Sequence, residues 1–206
     1  MFRRILAGIW PVSEKVQLPD LLVVGLGNPG KRYAATRHNV GASVLFELCN
    51  RYEKQLRVSK DEALTTEIIS GNRSVILAFP QTFMNDSGRS TRKLVRRYKI
   101  EDMSKLVIVH DEMDLPVGVL KIKLGGGLAG HNGLLSISKN LRTRDYVRIR
   151  IGIGRPTKGK TGADYVLGHP GRNEEVQLSQ AFIEAADAIE LILSEGVDSA
   201  MRTYNT

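Results

Sequence analysis

The segment LLVVG at positions 21–25 runs directly into LGNPG at 26–30. A short apolar run that closes on glycine is typical of a buried strand. After the turn-rich loop, residues 40–56 place apolar side chains at helical spacing, with Leu45 and Leu48 on the same side. A buried strand, a loop and an amphipathic helix in this order predict an α/β protein.

Strand and helix patterns alternate along the rest of the chain. Apolar runs predict strands at 65–69, 74–79, 106–109, 119–124 and 147–153, with a hairpin at Gly71-Asn72 between the first two. Helices are predicted from the capping residues Asp86 and Ser87 to Lys99, at 130–141 and at 174–193. We expect one α/β domain at 20–206, with a central mixed, mostly parallel twisted sheet and helices on both faces. Residues 1–19 are expected to be an N-terminal leader of unknown role.

Composition restricts the class of protein. The 206 residues are 42% hydrophobic and 25% charged, which is ordinary for a globular chain. The single cysteine, Cys49, excludes an intrachain disulfide and a cysteine-cluster metal site, and it fits a reducing compartment. No run approaches the roughly 20 apolar residues of a membrane span, so we expect a cytoplasmic protein without a membrane partner.

The net charge of +8 is unevenly distributed. Residues 173–206 contain seven acidic side chains and one basic side chain, so residues 1–172 carry a net charge of +14. A basic body with an acidic C-terminal segment favours a polyanionic partner, nucleic acid first. The alternative is that the charge only keeps the protein soluble.

The loop at 25–39 contains the first candidate site. Its glycine spacing is similar to the start of a dinucleotide-binding fingerprint, but Pro29 interrupts the expected helix and removes a backbone N–H that a phosphate would use. No acidic residue ends a second strand about 20 positions further on, as that fingerprint requires. We therefore expect a shaped loop that presents Asn28 and His38 at the carboxyl edge of the first strand.

The segment after the strand at 74–79 reads QTFMN at 81–85. Asn85 is either a turn or cap residue or a binding residue. Phe83 and Met84 are either core residues or apolar walls of a pocket. The pattern alone leaves these alternatives open.

The segment HDEMDLP at 110–116 combines a histidine with three acids. We predict no metal site there, because Asp111, Glu112 and Asp114 project in different directions from an extended backbone and no paired-histidine spacing accompanies them. A single aspartate at a strand end is suited to another role. It accepts the Nδ1–H of a catalytic histidine, which sets the tautomer and stabilises the protonated form.

Glycine density is highest in GGGLAGHNG at 125–133, between a predicted strand and a predicted helix. Such a loop allows the backbone to approach a substrate closely. His131 and Asn132 then lie at a helix N-terminus, where anionic oxygens are favoured. A flexible hinge is the alternative.

Basic residues repeat on two predicted strands. Lys121 and Lys123 share one strand face, and Arg148 and Arg150 share a face of another strand. Two such strands predict a phosphate clamp. The helix after Asp86 adds a second basic surface, for which simple solvation is the alternative; its members are Arg89, Arg92, Lys93, Arg96 and Arg97.

Five of these segments resemble the signature blocks of the bacterial-type peptidyl-tRNA hydrolase family, in the same order and at familiar spacings. They are GLGNPGKRYAATRHNVG at 25–41, PQTFMNDSG at 80–88, VHDEMDLPVG at 109–118, KLGGGLAGHNGLLSI at 123–137 and RIRIGIGRP at 148–156. The resemblance covers about residues 20–195. It implies a monomeric α/β hydrolase, without metal or cofactor, whose partner is peptidyl-tRNA and which cleaves the ester between the peptide and the terminal ribose.

The resemblance also implies the catalytic residues. His38 matches the family's catalytic histidine, Asp111 its partner carboxylate, and Asn28 the asparagine that helps to distinguish peptidyl from free aminoacyl esters. In this interpretation His38 takes a proton from water, Asp111 holds its tautomer, and side-chain amides donate to the developing negative charge. We expect water to be the direct nucleophile, because Cys49 is predicted in the core and Ser87 as a helix cap.

The implied binding residues surround this pair. The resemblance places Tyr33, Phe83, Asn85 and Asn132 along the channel for the peptide and the tRNA end, and Met84 and His131 complete the predicted set. Lys123 and Arg150 match the pair that grips the tRNA 5′-phosphate. Ala129 departs from the glycine found in many relatives, which is expected to narrow the channel.

Two other classes of protein remain as alternatives. The first is a non-catalytic RNA-binding relative, such as an organellar splicing factor built on this fold, which would be expected to lack the histidine–aspartate pair. The second is a nucleotide-binding oxidoreductase, which Pro29 and the missing acidic residue oppose.

Overall fold

The computed structural model describes residues 18–156, 159 and 161–205. Its strands are β1 (Leu21–Gly25), β2 (Arg57–Ser59), β3 (Ala63–Ser70), β4 (Arg73–Pro80), β5 (Leu106–Glu112), β6 (Leu120–Leu124) and β7 (Val147–Gly152). Its α-helices are α1 (Val40–Arg51), α2 (Ser87–Arg97), α3 (Asn132–Leu141), α4 (Gly162–Val166), α5 (Arg172–Glu195) and α6 (Val197–Tyr204). The predicted leader lies outside the described residues except for its last two positions, so its boundary stays a prediction.

The strands of the described residues form one mixed sheet in the order β2-β3-β4-β1-β5-β7-β6. The four central strands β4, β1, β5 and β7 are parallel neighbours, whereas β2, β3 and β6 pair antiparallel towards the two edges. Gly71, at a φ of 62°, forms the tight turn of the β3–β4 hairpin. The predicted α/β class with a mixed central sheet is confirmed.

Helices cover both faces of the sheet, as predicted. Helices α1, α5 and α6 pack on the face that receives Val23 and Val107, and helices α2 and α3 pack on the face that receives Leu22 and Ile108. Consecutive strand residues thus point to opposite apolar layers, as the period of two requires. None of the described helices is long and apolar enough to cross a bilayer.

Some boundaries differ from those expected. Helix α1 ends at Arg51, before the predicted end at residue 56, because Glu53 adopts a left-handed conformation with a φ of 51°. Strand β2 was not predicted; it has three residues, and its apolar Val58 is 88% exposed, so it carries no burial pattern. Helices α4 and α6 are short, with one buried residue each.

The start of α1 packs directly on the sheet. A Cβ atom on Gly41 would lie 2.3 Å from the carbonyl oxygen of Val109, and one on Gly25 would lie 2.3 Å from the carbonyl oxygen of Gly41. Only glycine permits this approach. The contact brings the turn before α1, which carries His38, next to the end of β5, which carries Asp111.

Candidate active site

His38 and Asp111 meet at the carboxyl edge of the sheet. Because β1 and β5 are parallel neighbours, the loop after β1 and the end of β5 lie together. The Nδ1 atom of His38 lies 2.8 Å from Oδ1 of Asp111, and both side chains are buried. The carboxylate accepts the Nδ1–H, which leaves Nε2 of His38 unprotonated and able to act as a base.

His131 contacts the same carboxylate oxygen. It is the N-cap residue of α3, and its Nδ1 accepts hydrogen bonds from the backbone N–H groups of Gly133 (3.1 Å) and Leu134 (3.4 Å). An Nδ1 that accepts carries no proton, so the Nε2–H of His131 donates to Oδ1 of Asp111 at 3.0 Å. The predicted substrate-binding residue therefore lies at the helix N-terminus as expected, and its imidazole supports Asp111.

The two histidines determine the ionisation of Asp111. Burial by itself would raise its pKa, but the positive potential and hydrogen bonds of His131 and His38 outweigh this effect. The pKa of Asp111 is consequently held well below its usual range. Asp111 is therefore a carboxylate throughout the pH range in which a histidine titrates.

His110 points to the other face of the sheet and is not part of the cavity lining. Its Nδ1–H donates to the carbonyl oxygen of Asp111 at 2.7 Å, and its buried Nε2 has no hydrogen-bond partner among the described residues. Burial, aided by the positive potential of His131, lowers the pKa of His110 to about 3. His110 thus stays neutral and fastens the backbone that carries Asp111.

His110 is expected to limit stability in acid. The unfolded state binds a proton near pH 6.5, whereas folded His110 does not until about pH 3, so the free energy of unfolding falls as the pH drops through this window. His110→Asn retains a donor for the Asp111 carbonyl but no titrating ring. Urea unfolding between pH 6.5 and 3 should show a slope smaller by up to ~1.4 kcal/mol per pH unit in this variant. Equal slopes in the two proteins would contradict this assignment.

Asn28 presents its amide N–H group to the site. Its backbone N–H donates to Oδ1 of Asn39 (2.8 Å), and Nδ2 of Asn39 donates to the carbonyl oxygen of Asn28 (2.9 Å). The side-chain Oδ1 of Asn28 accepts the backbone N–H of Met84 at 2.8 Å. Since its oxygen is occupied, Asn28 has its NH₂ group left to donate to a substrate carbonyl. Asn39, which the sequence patterns did not single out, positions Asn28.

Two cavities meet at His38. The larger, of about 440 Å³, is lined by Asn28, Phe83, Met84, Asn85 and Leu167. The smaller, of about 140 Å³, is lined by Asp111, Glu112, Met113, Ala129, Gly130 and His131. Both share His38, Asn132, Ala163 and Val166. A molecule that occupied both cavities would place its central bond beside His38.

Most of the predicted channel residues line the larger cavity. Met84 is a core residue and also a wall of the cavity: it is buried in the apolar core between the sheet and α3, and it lines the larger cavity. Phe83 is 59% exposed, and its ring makes an edge contact with Tyr33 at 6.5 Å between centroids. Asn85 and Asn132 are exposed at the rim. Four of the six predicted channel residues thus line the larger cavity, whereas His131 lines the smaller one and Tyr33 only contacts Phe83 at the edge of the site.

Arg37 holds α4 over the two cavities. Its guanidinium donates to the carbonyl oxygen of His169 (2.9 Å) and pairs with Glu174 at the start of α5 (2.6 Å), and it lies 4.4 Å from the ring centre of Tyr165 in α4. The sequence patterns predicted neither this role nor α4. The role was missed because the contacts of Arg37 join residues more than 120 positions apart.

His38, Asp111 and His131 have the spacing of metal ligands, with ligand atoms within 4.8 Å of one another. Both imidazoles, however, lie close because they hydrogen-bond to the same carboxylate. The acids of the 110–116 segment do diverge, as expected: Glu112 pairs with Arg150 and Asp114 with Arg155. The sequence patterns missed the cluster, since its histidines come from two other segments.

Lys123 and Arg150 differ in their surroundings. Lys123 is exposed, whereas Arg150 is partly buried, and its Nε donates to Oε2 of Glu112 at 3.1 Å. Arg148 does not join this surface. It is buried, and its guanidinium donates to the carbonyl oxygens of Gly127 (2.6 Å) and Gly125. The expectation of two cations from each strand is therefore wrong for Arg148, which fastens the glycine-rich loop.

The glycine-rich loop ends beside the smaller cavity. Ala129, at its rim, has a φ of 46°, in the left-handed region that favours glycine. Glycine would adopt this conformation without the strain that the Cβ of alanine introduces. With Arg148 tied to two of its carbonyl oxygens, the loop has an anchor that a freely flexible hinge would lack.

Comparisons with known proteins find one family along nearly the whole chain. The family model described as peptidyl-tRNA hydrolase matches residues 22–206. A peptidyl-tRNA hydrolase of Syntrophomonas wolfei is 43% identical over 184 residues, which are 89% of this chain and 99% of the relative. One of Rhodococcus erythropolis is 46% identical over 182 residues, which are 87% of this chain and 94% of the relative.

The fold has a counterpart in crystal structures. A peptidyl-tRNA hydrolase from Acinetobacter baumannii superimposes with a TM-score of 0.85 at 34% sequence identity. The match covers 92% of this chain and 97% of that structure.

Proposed function

The chain belongs to the peptidyl-tRNA hydrolase family, and we propose that it hydrolyses the ester bond between a peptide, or an N-blocked aminoacyl group, and the 3′-terminal ribose of tRNA. The reaction returns tRNA from prematurely released peptidyl-tRNA. The observation that carries this proposal is the His38–Asp111 pair at the meeting point of two cavities.

The two cavities suit the two halves of such an ester. The larger cavity offers the Asn28 amide and the apolar walls of Phe83 and Met84 to the acyl half. The smaller cavity borders Glu112, whose carboxylate pairs with Arg150 on β7. Lys123 lies on the neighbouring strand β6, opposite Arg148. We assign the ribose half to this side because cations favour the phosphates that follow the ribose.

In the proposed mechanism Nε2 of His38 removes a proton from a water molecule as its oxygen attacks the ester carbonyl carbon. Asp111 stabilises the imidazolium that forms. Asn28, Asn85 and Asn132 line the larger cavity, which supports a role for their amide N–H groups as donors to the oxyanion or to peptide carbonyls. The tetrahedral intermediate then collapses: the bond to the ribose 3′-oxygen breaks, and the His38 imidazolium returns its proton to that oxygen. The products are a free peptide and tRNA.

The alternative of a non-catalytic RNA-binding relative is not supported. The His38–Asp111 pair that such a protein would be expected to lack is present and hydrogen-bonded.

The direct test is release of labelled N-acetyl-aminoacyl groups from tRNA. We expect acid-soluble label to appear with N-acetylated substrate and far more slowly with free aminoacyl-tRNA, since Asn28 is proposed to recognise the peptide-like amide. Failure of the wild-type protein to release label from the N-acetylated substrate would overturn the proposal.

Lys123 and Arg150 are proposed to hold the tRNA 5′-phosphate. Lys123→Ala should raise KM for full-length peptidyl-tRNA several-fold to tens-of-fold and flatten its salt dependence, because fewer counterions are released on binding. KM for a peptide esterified to a short 3′ fragment, which has no 5′-phosphate, should scarcely change. Steady-state kinetics with both substrates over a salt series measures the effect.

Lys123→Ala is the cleaner of the two tests. Arg150→Ala should act in the same direction, but it also leaves the buried carboxylate of Glu112 beside the smaller cavity without its partner. An equal rise in KM for both substrates in Lys123→Ala would show that Lys123 does not bind the 5′-phosphate.

We further propose that the protein acts as a monomer in the cytoplasm. The family resemblance supports the first point, and the single buried cysteine fits a reducing compartment. Sedimentation equilibrium tests the first and cell fractionation the second.

A further inference from the structure

A third depression, which is basic, lies at the end of α3 that is far from His131. It has a volume of about 550 Å³, and we name it the α3-end groove. Its cations are Lys139, Arg142 and Arg144, and its floor includes Leu128 and Leu135. None of its lining residues is acidic. The neighbouring acid, Asp145, hydrogen-bonds to Thr143.

The cations of the α3-end groove are unneutralised. Lys139, Arg142 and Arg144 are exposed, and none forms an ion pair with a described carboxylate. On the basic surface of α2, by contrast, Glu62 pairs with Arg89 and Lys93, and Asp61 pairs with Arg97. Ion pairs between described residues thus neutralise several cations of the α2 surface and none of the three cations of the groove.

The conformation of Arg142 is a separate observation. Arg142 follows the last residue of α3 with a φ of 58° and a ψ of 27°, in the left-handed region where a side chain is disfavoured. Glycine is the usual residue at such a helix end. The helix dipole favours a cation at this end, and Lys99 follows α2 in the same conformation, so the conformation alone does not mark Arg142 as a binding residue. It places the charge of Arg142 at the lining of the groove.

The groove is continuous with the proposed tRNA-binding side of the active site. Leu128 belongs to the glycine-rich loop, and a Cβ on Gly126 of that loop would lie 2.6 Å from Cε of Lys123. Lys123 thus lies against the loop at Gly126, and Leu128 of the same loop lines the groove. A nucleic acid whose end is held at Lys123 therefore has a basic surface along the same loop.

We propose that the α3-end groove binds the phosphodiester backbone of the tRNA body, beyond the end held at the active site. This inference rests on the proposed function and names a further contact with the same substrate. Phosphates are the groups that unpaired arginine and lysine side chains recognise best. The groove contributes affinity for full-length tRNA and nothing to the chemical step.

A matched pair of variants tests the groove. Lys99 follows the C-terminal end of α2 with a φ of 50°, is exposed and has no ion pair with a described carboxylate. Arg142→Gly and Lys99→Gly therefore each remove one positive charge and each relieve a left-handed side chain. Lys99 is not among the residues that line the groove.

Kinetics with full-length peptidyl-tRNA and with a peptide esterified to a short 3′ fragment give the readout. Arg142→Gly should raise KM for the full-length substrate about three- to tenfold and reduce its salt slope by about one. Its kcat and its KM for the fragment should not change. Lys99→Gly should leave all these values within about twofold of wild type, and both variants should melt at or above the wild-type temperature.

The outcomes separate the two proposals. A wild-type protein that releases no peptide from either substrate refutes the proposed function. If the wild-type protein is active on both substrates and the two variants Arg142→Gly and Lys99→Gly have equal KM values, the groove proposal is refuted. The positive charge then acts only as a diffuse attraction for tRNA. A rise in KM for the fragment as well as for tRNA also refutes it, because the effect then passes through α3 to His131. Retained affinity in Arg142→Lys would support the charge as the cause.

Discussion

His38→Ala is expected to lower kcat for N-acetyl-aminoacyl-tRNA by about 10²–10⁴-fold, because no other described side chain stands at the meeting point of the cavities with a free imidazole nitrogen. Affinity for tRNA should remain within a few-fold of wild type. The imidazole acts on water and not on phosphate, and the cations proposed to hold tRNA lie elsewhere. Single-turnover release of label measures the first quantity, and filter binding measures the second.

A matched histidine provides the control. His169 is exposed, and its Nδ1 lies 3.1 Å from the carbonyl oxygen of Ala35, away from Asp111. His169→Ala should keep kcat within about twofold of wild type. If His38→Ala retains more than about a tenth of the wild-type rate, His38 is not the base.

The sequence predicted those parts of the site that lie within single segments. Asn28 and His38 follow one strand, and Asp111 ends another, so strand order alone placed them at one edge of the sheet. The glycine-rich loop placed His131 at a helix N-terminus for the same local reason. These predictions depend on strand ends and helix starts, which short-range patterns indicate well.

Contacts between distant segments were beyond such patterns. Arg148 and Arg150 lie two positions apart on the same face of β7. Arg148 is nevertheless buried under the glycine-rich loop, whereas Arg150 pairs with Glu112. Periodicity shows which side of a strand a residue occupies, but not which loop covers that side. The contact of His131 with Asp111 was missed for the same reason, since a cap residue has no signal for its partner across the cleft.

Asp111→Asn is expected to lower kcat by up to about 10⁴-fold, as loss of the carboxylate does in comparable histidine–aspartate pairs. Oδ1 of Asp111 receives both the Nδ1–H of His38 and the Nε2–H of His131. An asparagine oxygen is able to accept both bonds but carries no charge, so the imidazolium formed during attack on the ester loses its counter-ion. An asparagine that turns its NH₂ group towards His38 instead favours the wrong tautomer.

The pH–rate profile distinguishes these effects from simple unfolding. Because the pKa of Asp111 is held well below its usual range, its contribution to stability is complete above about pH 4 and is lost only as the pH falls further. Any loss of rate between pH 5 and 7 in the wild-type enzyme therefore does not come from protonation of Asp111. Asp111→Asn should therefore lower kcat at every pH between 5 and 8 while circular dichroism shows a folded protein. A folded Asp111→Asn enzyme that keeps the wild-type kcat over this pH range would mean that the carboxylate does not act on His38.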